Sequence, residues 1–242
     1  MDPKDLEKLR KEALEQSPFD PLLLRKRMWD QVENGTATVV CKACSLAKVV
    51  YIQDHRKKIE PPWDLWSRIF QWLGVTPERW SVYWFPSPIK RVLPLPGEPV
   101  GPSHVNGGYT FPCSKNAIVV YRLEEATRVL LHELLHGACL DPKGAIEWRE
   151  ATIETWAELY LIALCAEQSH AKLNELWSIQ SQWIADQNHQ LRSKYSVLVP
   201  DHYAWRYTLG RESILLNMRI ELPEPNTKKS MSSRLTSPLL SP

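Results

Sequence analysis

The sequence lacks a hydrophobic run long enough to cross a membrane. Its longest apolar stretch, 159–166, is far shorter than the roughly 20 residues that a spanning helix needs. The first eight residues are rich in charged side chains and have no apolar centre, so they do not resemble a secretory signal peptide. We therefore predict a cytoplasmic protein with no membrane partner.

The sequence also lacks a surplus of charge. Its 30 basic and 28 acidic residues leave a net charge of +2, which gives no electrostatic case for a nucleic-acid partner. The short basic runs at 25–27 and 55–58 are typical of solvated surfaces. Because 43% of the 242 residues are hydrophobic, the chain can bury a sizeable core, and we predict a globular protein.

Cysteine is scarce, and only Cys41 and Cys44 among the five cysteines form a C-x-x-C pair. No second pair follows at zinc-ribbon spacing, so we interpret these two as buried thiols rather than metal ligands. For an intracellular protein we predict that all five cysteines are reduced, with Cys139 and Cys165 packed in the core.

The most informative residues that are present are 132–136, which read His-Glu-Leu-Leu-His. The preceding segment, 123–131, contains no Gly or Pro and predicts a helix that ends near Gly137. On a helix, His132 and His136 share one face and can bind one zinc ion together. Glu133 is the residue after His132 on this helix, and its carboxylate can take a proton from a zinc-bound water.

A catalytic zinc needs a third protein ligand and leaves its fourth position to water. Segment 145–158 has a strong helix pattern, and it carries four candidate carboxylates: Glu147, Glu150, Glu154 and Glu158. If the chain reverses near residues 142–143, Glu150 lies level with His136 and Glu154 with His132. Glu150 is then the third ligand, and Glu154 accepts the N–H of His132 and sets its tautomer. The alternative register, one turn further on, makes Glu154 the ligand and Glu158 its support.

This pattern of H-E-x-x-H followed by a helix with E-x-x-x-E resembles the gluzincin branch of zinc metallopeptidases. The resemblance implies His132, His136 and Glu150 as zinc ligands, Glu133 as general base and Glu154 as a residue that supports the ligands. The spacing between His136 and Glu150 is shorter than usual for that branch. A wider stretch, about 80–165, is similar to H-E-x-x-H proteins of large DNA viruses, which implies an intracellular viral protein acting in an infected host cell.

Two further sets of residues have two interpretations each. The segment Asn106-Gly107-Gly108-Tyr109 fits a loop that binds a peptide substrate, and it equally fits an ordinary hairpin turn. Asp201-His202-Tyr203 offers His202 and Tyr203 as catalytic donors to the oxyanion, and it equally fits a capped helix start. Tyr195 and Tyr207 are further donor candidates in the same region.

The order of the predicted elements indicates an α+β, zincin-like fold. A small N-terminal β-sheet and an active-site helix occupy 36–140, after a helical extension at 1–34, and a mostly helical part follows at 144–222. We predict one domain over 1–222 and a disordered tail at 223–242. The predicted function is zinc-dependent hydrolysis of a peptide or protein substrate. The alternative is a catalytically inactive zincin-like scaffold that serves as a protein-interaction module.

Overall fold

A computed structural model describes residues 2–74, 79–228 and 232–240 of the chain. The chain divides into two compact units, each built from two segments. Unit 1 comprises Met1–Lys90 and Gly107–Leu140, and unit 2 comprises Arg91–Asn106 and Asp141–Pro242. The single domain over 1–222 stays a prediction.

Unit 1 is an α+β structure built on a five-stranded mixed sheet with the strand order β1-β2-β3-β5-β4. Strand β2 pairs antiparallel with β1 and parallel with β3, β3 pairs parallel with β5, and β4 pairs antiparallel with β5. The strands and helices of unit 1 are β1 (Ala37–Ala43), β2 (Ala47–Asp54), β3 (Trp80–Trp84), β4 (Gly108–Tyr109), β5 (Ile118–Val120), α1 (Pro3–Leu14), α2 (Leu24–Glu33), α3 (Trp63–Trp72) and α5 (Ala126–Gly137).

The two N-terminal helices of unit 1 belong to its core. Leu9 of α1 and Leu24 of α2 are fully buried against sheet residues such as Val50 and Tyr121. The central strands are rich in Val, Ile and aromatic residues, which suits a sheet with both faces covered. The predicted helical extension at 1–34 is therefore part of the packed unit, since these two helices cover apolar sheet residues.

A buried arginine joins the N-terminal helices to the edge strand β4. Arg25 is 2% exposed and forms an ion pair with Asp20, with 3.1 Å between Nε and Oδ2. It also donates to the hydroxyl of Tyr109 in β4, and that hydroxyl donates to a carboxylate oxygen of Glu12 at 2.5 Å. Because a buried guanidinium needs several acceptors, this network fixes the position of β4.

Among the described residues of unit 2, all the regular elements are helices. Its α-helices are α4 (Pro102–Val105), α6 (Ile146–Ala166), α7 (His170–Tyr195) and α8 (Leu209–Asn217), with 3-10 helices at Tyr203–Tyr207 and Pro238–Leu240. Its core includes Ala151, Leu191, Trp205 and Leu209. The sequence predicts one helix over about 201–220, and the structure instead interrupts it at Thr208, whose φ and ψ of −134° and −91° are not helical.

The disorder that the sequence predicts for 223–242 stays a prediction, and the structure describes residues 223–228 and 232–240 of this tail. In the segment 232–240, Leu235 and Leu240 are 1% and 2% exposed, and Ser237 is 3% exposed. Although this stretch is polar in composition, Leu235 and Leu240 are buried in unit 2. The predicted α+β class is confirmed, and within the described residues no helix is both long and apolar enough to cross a lipid bilayer.

Candidate metal centre

Helix α5 carries the H-E-x-x-H residues and is buried on every side. Leu130, Leu131 and Leu134 have no exposed surface, and the helix packs against β5 and β4. This burial fixes the rotation of the helix about its axis. The side chains of the motif residues are therefore held in one orientation by the packing of their apolar neighbours.

The two motif histidines point their Nε2 atoms at each other. These atoms lie 3.0 Å apart, and each residue is 6% exposed. The rings meet edge to face, with their centroids 4.7 Å apart. Two zinc–nitrogen bonds of about 2.0–2.1 Å at a tetrahedral angle place their nitrogens about 3.3 Å apart. The spacing of the two imidazoles therefore suits ligands of one metal ion.

Glu133 lies beside the edge strand β4 of the sheet. A Cβ atom built on Gly108 would lie 3.1 Å from Oε1 of Glu133, 2.6 Å from Cγ1 of Val129 and 2.7 Å from the carbonyl oxygen of Val119. Only a residue without a side chain lets α5 approach β4 and β5 this closely. The absence of a side chain at residue 108 thus sets the position of the Glu133 carboxylate.

We expect Gly108→Ala to lower the free energy of unfolding by about 1–3 kcal/mol, because Val129 and the β5 backbone must move to admit the methyl group. Urea unfolding of the variant measures this loss. Gly101→Ala is the matched control, since a Cβ at Gly101 meets no atom within 4 Å. Equal stability of the two variants would contradict the close approach of α5 to β4.

A disulfide joins the end of α5 to the loop that follows β4. Cys113 and Cys139 are bonded, and the backbone N–H groups of both donate to the carbonyl oxygen of His136, at 2.9 and 3.0 Å. The prediction that all five cysteines are reduced and that Cys139 is core is therefore wrong for this pair, and Cys139 is exposed. The two cysteines are 26 positions apart in the sequence, and this spacing carries no signal, because chain folding alone brings them together.

The remaining three cysteines, Cys41, Cys44 and Cys165, form no disulfide within the described residues, and they are half-buried. Burial raises the pKa of the Cys41 thiol, which disfavours the thiolate that would bind a metal.

In unit 2, helix α6 carries the predicted acidic residues one turn apart. Glu150 is half-buried, whereas Glu154 and Glu158 are 1% and 2% exposed. Glu158 accepts from Arg211 and Gln180. The fourth candidate, Glu147, forms an ion pair with Arg206 at 3.4 Å. Glu147 and Glu158 thus have structural partners within unit 2.

The two motif histidines belong to unit 1, and the candidate third ligand Glu150 belongs to unit 2. Two imidazole nitrogens and a carboxylate oxygen are the donor set of many catalytic zinc sites. Within unit 1, the facing Nε2 atoms of His132 and His136 can supply the two nitrogens. The assignment of Glu150 as the third ligand, over Glu154, stays a prediction.

The predicted catalytic donors in unit 2 have defined partners. The hydroxyl of Tyr203 donates to Oδ1 of Asn106 at 2.9 Å, and the guanidinium of Arg206 lies 5.0 Å from the Tyr203 ring centre. Nδ1 of the exposed His202 accepts the N–H of Leu198 at 3.1 Å, which holds the turn before the 3-10 helix. This contact gives His202 a structural role.

Burial controls the protonation of two tyrosines in unit 2. Desolvation raises the pKa of Tyr203 and places the pKa of Tyr207 well above its usual value, and the charge of Glu150 raises both further. Each phenol therefore keeps its proton at neutral and alkaline pH and remains a hydrogen-bond donor. Tyr207 is the less obvious of the two from sequence, because its neighbours give no motif.

The predicted substrate-binding residues fall in different elements. Asn106 ends α4 and is buried, with its N–H donating to the carbonyl oxygen of Pro102. Gly107 accepts the N–H of Tyr121, while Gly108 and Tyr109 form β4. The segment is therefore not a hairpin turn at Asn106-Gly107, because β4 reaches β5 through the longer connection 110–117. In the sheet order of the described residues β4 is one of the two edge strands, with β1 at the other edge, and an extended peptide can add to such a strand.

Comparisons of the chain with protein-family models, with curated proteins and with solved structures found no match.

Proposed function

We propose that this protein is a zinc-dependent hydrolase of peptide bonds. The observation that supports the proposal most is the pair of buried histidines on α5, since Nε2 of His132 and Nε2 of His136 lie 3.0 Å apart. Glu133 lies on the same helix as the two histidines and is nearly as buried as they are. A carboxylate adjacent to a three-ligand metal site is the arrangement that metal-assisted hydrolysis needs.

Zinc suits this donor set. Two imidazole nitrogens and one carboxylate oxygen are borderline ligands, which favour zinc over the harder magnesium and calcium ions. Three protein ligands leave a fourth position for water or substrate. When bound, zinc lowers the pKa of its water toward 7 and polarises the carbonyl of the substrate.

Glu133 is the proposed general base. Its carboxylate takes the proton from the attacking water and then delivers it to the amine that leaves. Tyr203 is the proposed donor to the oxyanion, since its raised pKa keeps the phenol protonated. In the reaction, the Tyr203 hydroxyl must then release Asn106 and donate its hydrogen bond to the oxyanion. The substrate strand pairs with β4, whose Gly108 lies next to Glu133.

We expect purified protein to contain about one zinc ion per chain, because two buried histidines on one helix turn and a carboxylate form a preorganised site. Elemental analysis before and after chelation, followed by reconstitution near neutral pH, measures the content. His132→Ala and His136→Ala should each lose the metal, whereas His55→Ala, at an exposed position, should retain it. A reconstituted wild-type protein without zinc would refute the proposal.

Glu150→Ala and Glu154→Ala distinguish the two possible third ligands. If Glu150 is the ligand and Glu154 supports a histidine, Glu154→Ala should lower zinc affinity or activity by about 10–100-fold. Glu150→Ala should lower zinc affinity by more than that, because it removes a ligand. Competition with a chromogenic chelator measures both affinities. The opposite order would assign the metal to Glu154, with Glu158 as its support. Zinc binding without turnover of any peptide would favour the scaffold alternative.

A further inference from the structure

The C-terminal segment 232–240 lies in a groove of unit 2. The groove is formed by α7 and α8 together with Glu158 of α6, and we call it the α7–α8 groove. Its lining side chains are Glu158, Gln180, Trp183, Gln187 and Arg211, most of them nearly inaccessible to solvent. Residues 232–237 adopt neither helix nor strand, and a 3-10 turn follows at Pro238–Leu240.

Two side chains of α7 bind the backbone at the start of this segment. Nε2 of Gln187 lies 3.3 Å from the carbonyl oxygen of Ser232 and 2.6 Å from that of Arg234. Nε1 of Trp183 also donates to the carbonyl oxygen of Arg234, at 3.1 Å. These bonds recognise main-chain carbonyl groups of the segment.

Two further groove residues bind the backbone at Leu235 and Ser237. Gln180 and Arg211 both donate to the carbonyl oxygen of Leu235, at 3.2 and 2.9 Å. Oε1 of Gln180 accepts the N–H of Ser237 at 2.8 Å. The side chain of Leu235 is 1% exposed. The contact thus combines main-chain hydrogen bonds with an apolar anchor, as peptide-binding domains do.

The polar lining of the groove is compatible with release of the segment. Gln180, Trp183 and Gln187 are spaced so that they form one stripe along α7. The amides and the guanidinium can be solvated by water when the segment leaves, whereas an apolar lining could not. Arg211 keeps its ion pair with Glu158, both of whose carboxylate oxygens lie 3.1 Å from Nη1. Departure of the segment therefore leaves no unpaired charge at this pair.

We propose that the α7–α8 groove is a binding site for a peptide that is held through its main-chain groups, and that segment 232–240 is its resident and exchangeable ligand. A bound peptide must supply backbone carbonyl groups that accept hydrogen bonds from Gln180, Gln187 and Arg211. It must also carry leucines at the positions that Leu235 and Leu240 occupy. The site consists of residues of unit 2, whereas the H-E-x-x-H residues belong to unit 1, and the proposal does not depend on zinc or on hydrolysis. It makes unit 2 an interaction module whose partner is the chain's own C-terminal sequence.

The test uses the full chain with a specific protease recognition sequence in place of residues 229–231. After cleavage and removal of the released segment, a fluorescent synthetic peptide of residues 232–242 is added, and its anisotropy is followed. We expect saturable binding to the cleaved protein, competition by unlabelled peptide, and at least about ten-fold weaker binding to the uncut protein, whose groove is filled. Thermal unfolding of the cleaved protein should remain cooperative.

Matched variants identify the groove. Gln187→Ala removes two hydrogen bonds to the peptide and should weaken binding by about ten-fold or more. Glu175→Gln, at an exposed position of the same helix, should leave binding unchanged. A peptide with Leu235→Asp should not bind, because a carboxylate would take the place of a side chain that is 1% exposed. A cooperatively folded cleaved protein that does not bind the peptide would overturn the proposal. Loss of cooperative unfolding after cleavage would also overturn it, because the segment would then be a fixed part of the core.

Discussion

Glu133→Gln is expected to lower the turnover of peptide hydrolysis by about 100-fold or more while zinc content stays the same. The substitution keeps the size and the hydrogen-bonding shape of the side chain but removes the basic carboxylate. General acid–base catalysis by a positioned side chain contributes about 10²–10⁴-fold to a rate. Glu133 is 6% exposed and lies next to Gly108, so an amide of the same size fits without a change in packing.

Initial rates on a broad peptide library, with elemental analysis of the same samples, measure the effect. Glu7→Gln is the matched control, because Glu7 is exposed on α1 and the substitution is chemically identical. The free energy of unfolding of Glu133→Gln should lie close to that of the wild type. Turnover equal to the wild type in a zinc-bearing Glu133→Gln protein would remove Glu133 from the mechanism.

Arg211→Met is expected to destabilise the protein by about 3–5 kcal/mol, because it leaves the buried carboxylate of Glu158 without its guanidinium. Arg211 is completely buried, and its Nη1 lies 3.1 Å from both carboxylate oxygens of Glu158. It also donates to the carbonyl oxygen of Leu235 and to Oε1 of Gln187. A loss of this size is a large part of the roughly 5–15 kcal/mol that stabilises a typical protein.

Denaturant unfolding of Arg211→Met, a control variant and a double variant tests whether the unpaired charge of Glu158 causes the loss of stability. Arg192→Met is the matched control, because Arg192 also pairs with a glutamate, Glu212 at 2.8 Å, yet its side chain is 44% exposed. Breaking an exposed pair should cost about 1 kcal/mol or less. The double variant Arg211→Met/Glu158→Gln should recover part of the loss, since no unpaired charge remains. Equal losses for Arg211→Met and Arg192→Met would show that burial of the first pair has no energetic consequence.

The helices and the longer strands follow from local patterns in the sequence. The segment before His132 predicts a helix because it lacks Gly and Pro, and α5 extends over Ala126–Gly137. The alternation and β-branched content near 36–52, 81–85 and 117–121 likewise correspond to β1, β2, β3 and β5. These patterns can be detected in the sequence because residues close together in the chain form the hydrogen bonds of a helix. Neighbouring residues likewise determine which face of a strand each side chain points to.

The two-residue strand β4 is not predictable in this way. Gly108 and Tyr109 carry a pattern typical of a turn, and they form a strand only because β5 and α5 lie next to them. The same holds for the disulfide between Cys113 and Cys139, and for the burial of segment 232–240. Each depends on groups that are distant in sequence, so composition and spacing carry no signal for them.

By itself, the sequence determined the helix that carries His132, Glu133 and His136, because an i, i+4 spacing on a helix places both histidines on one face whatever surrounds it. Only the tertiary structure decided what this spacing means chemically. Packing of α5 against the sheet buries the histidines and sets their nitrogens 3.0 Å apart, and the missing side chain of Gly108 admits Glu133 beside β4. The reason is that distance and desolvation depend on residues from other parts of the chain, which no local pattern specifies.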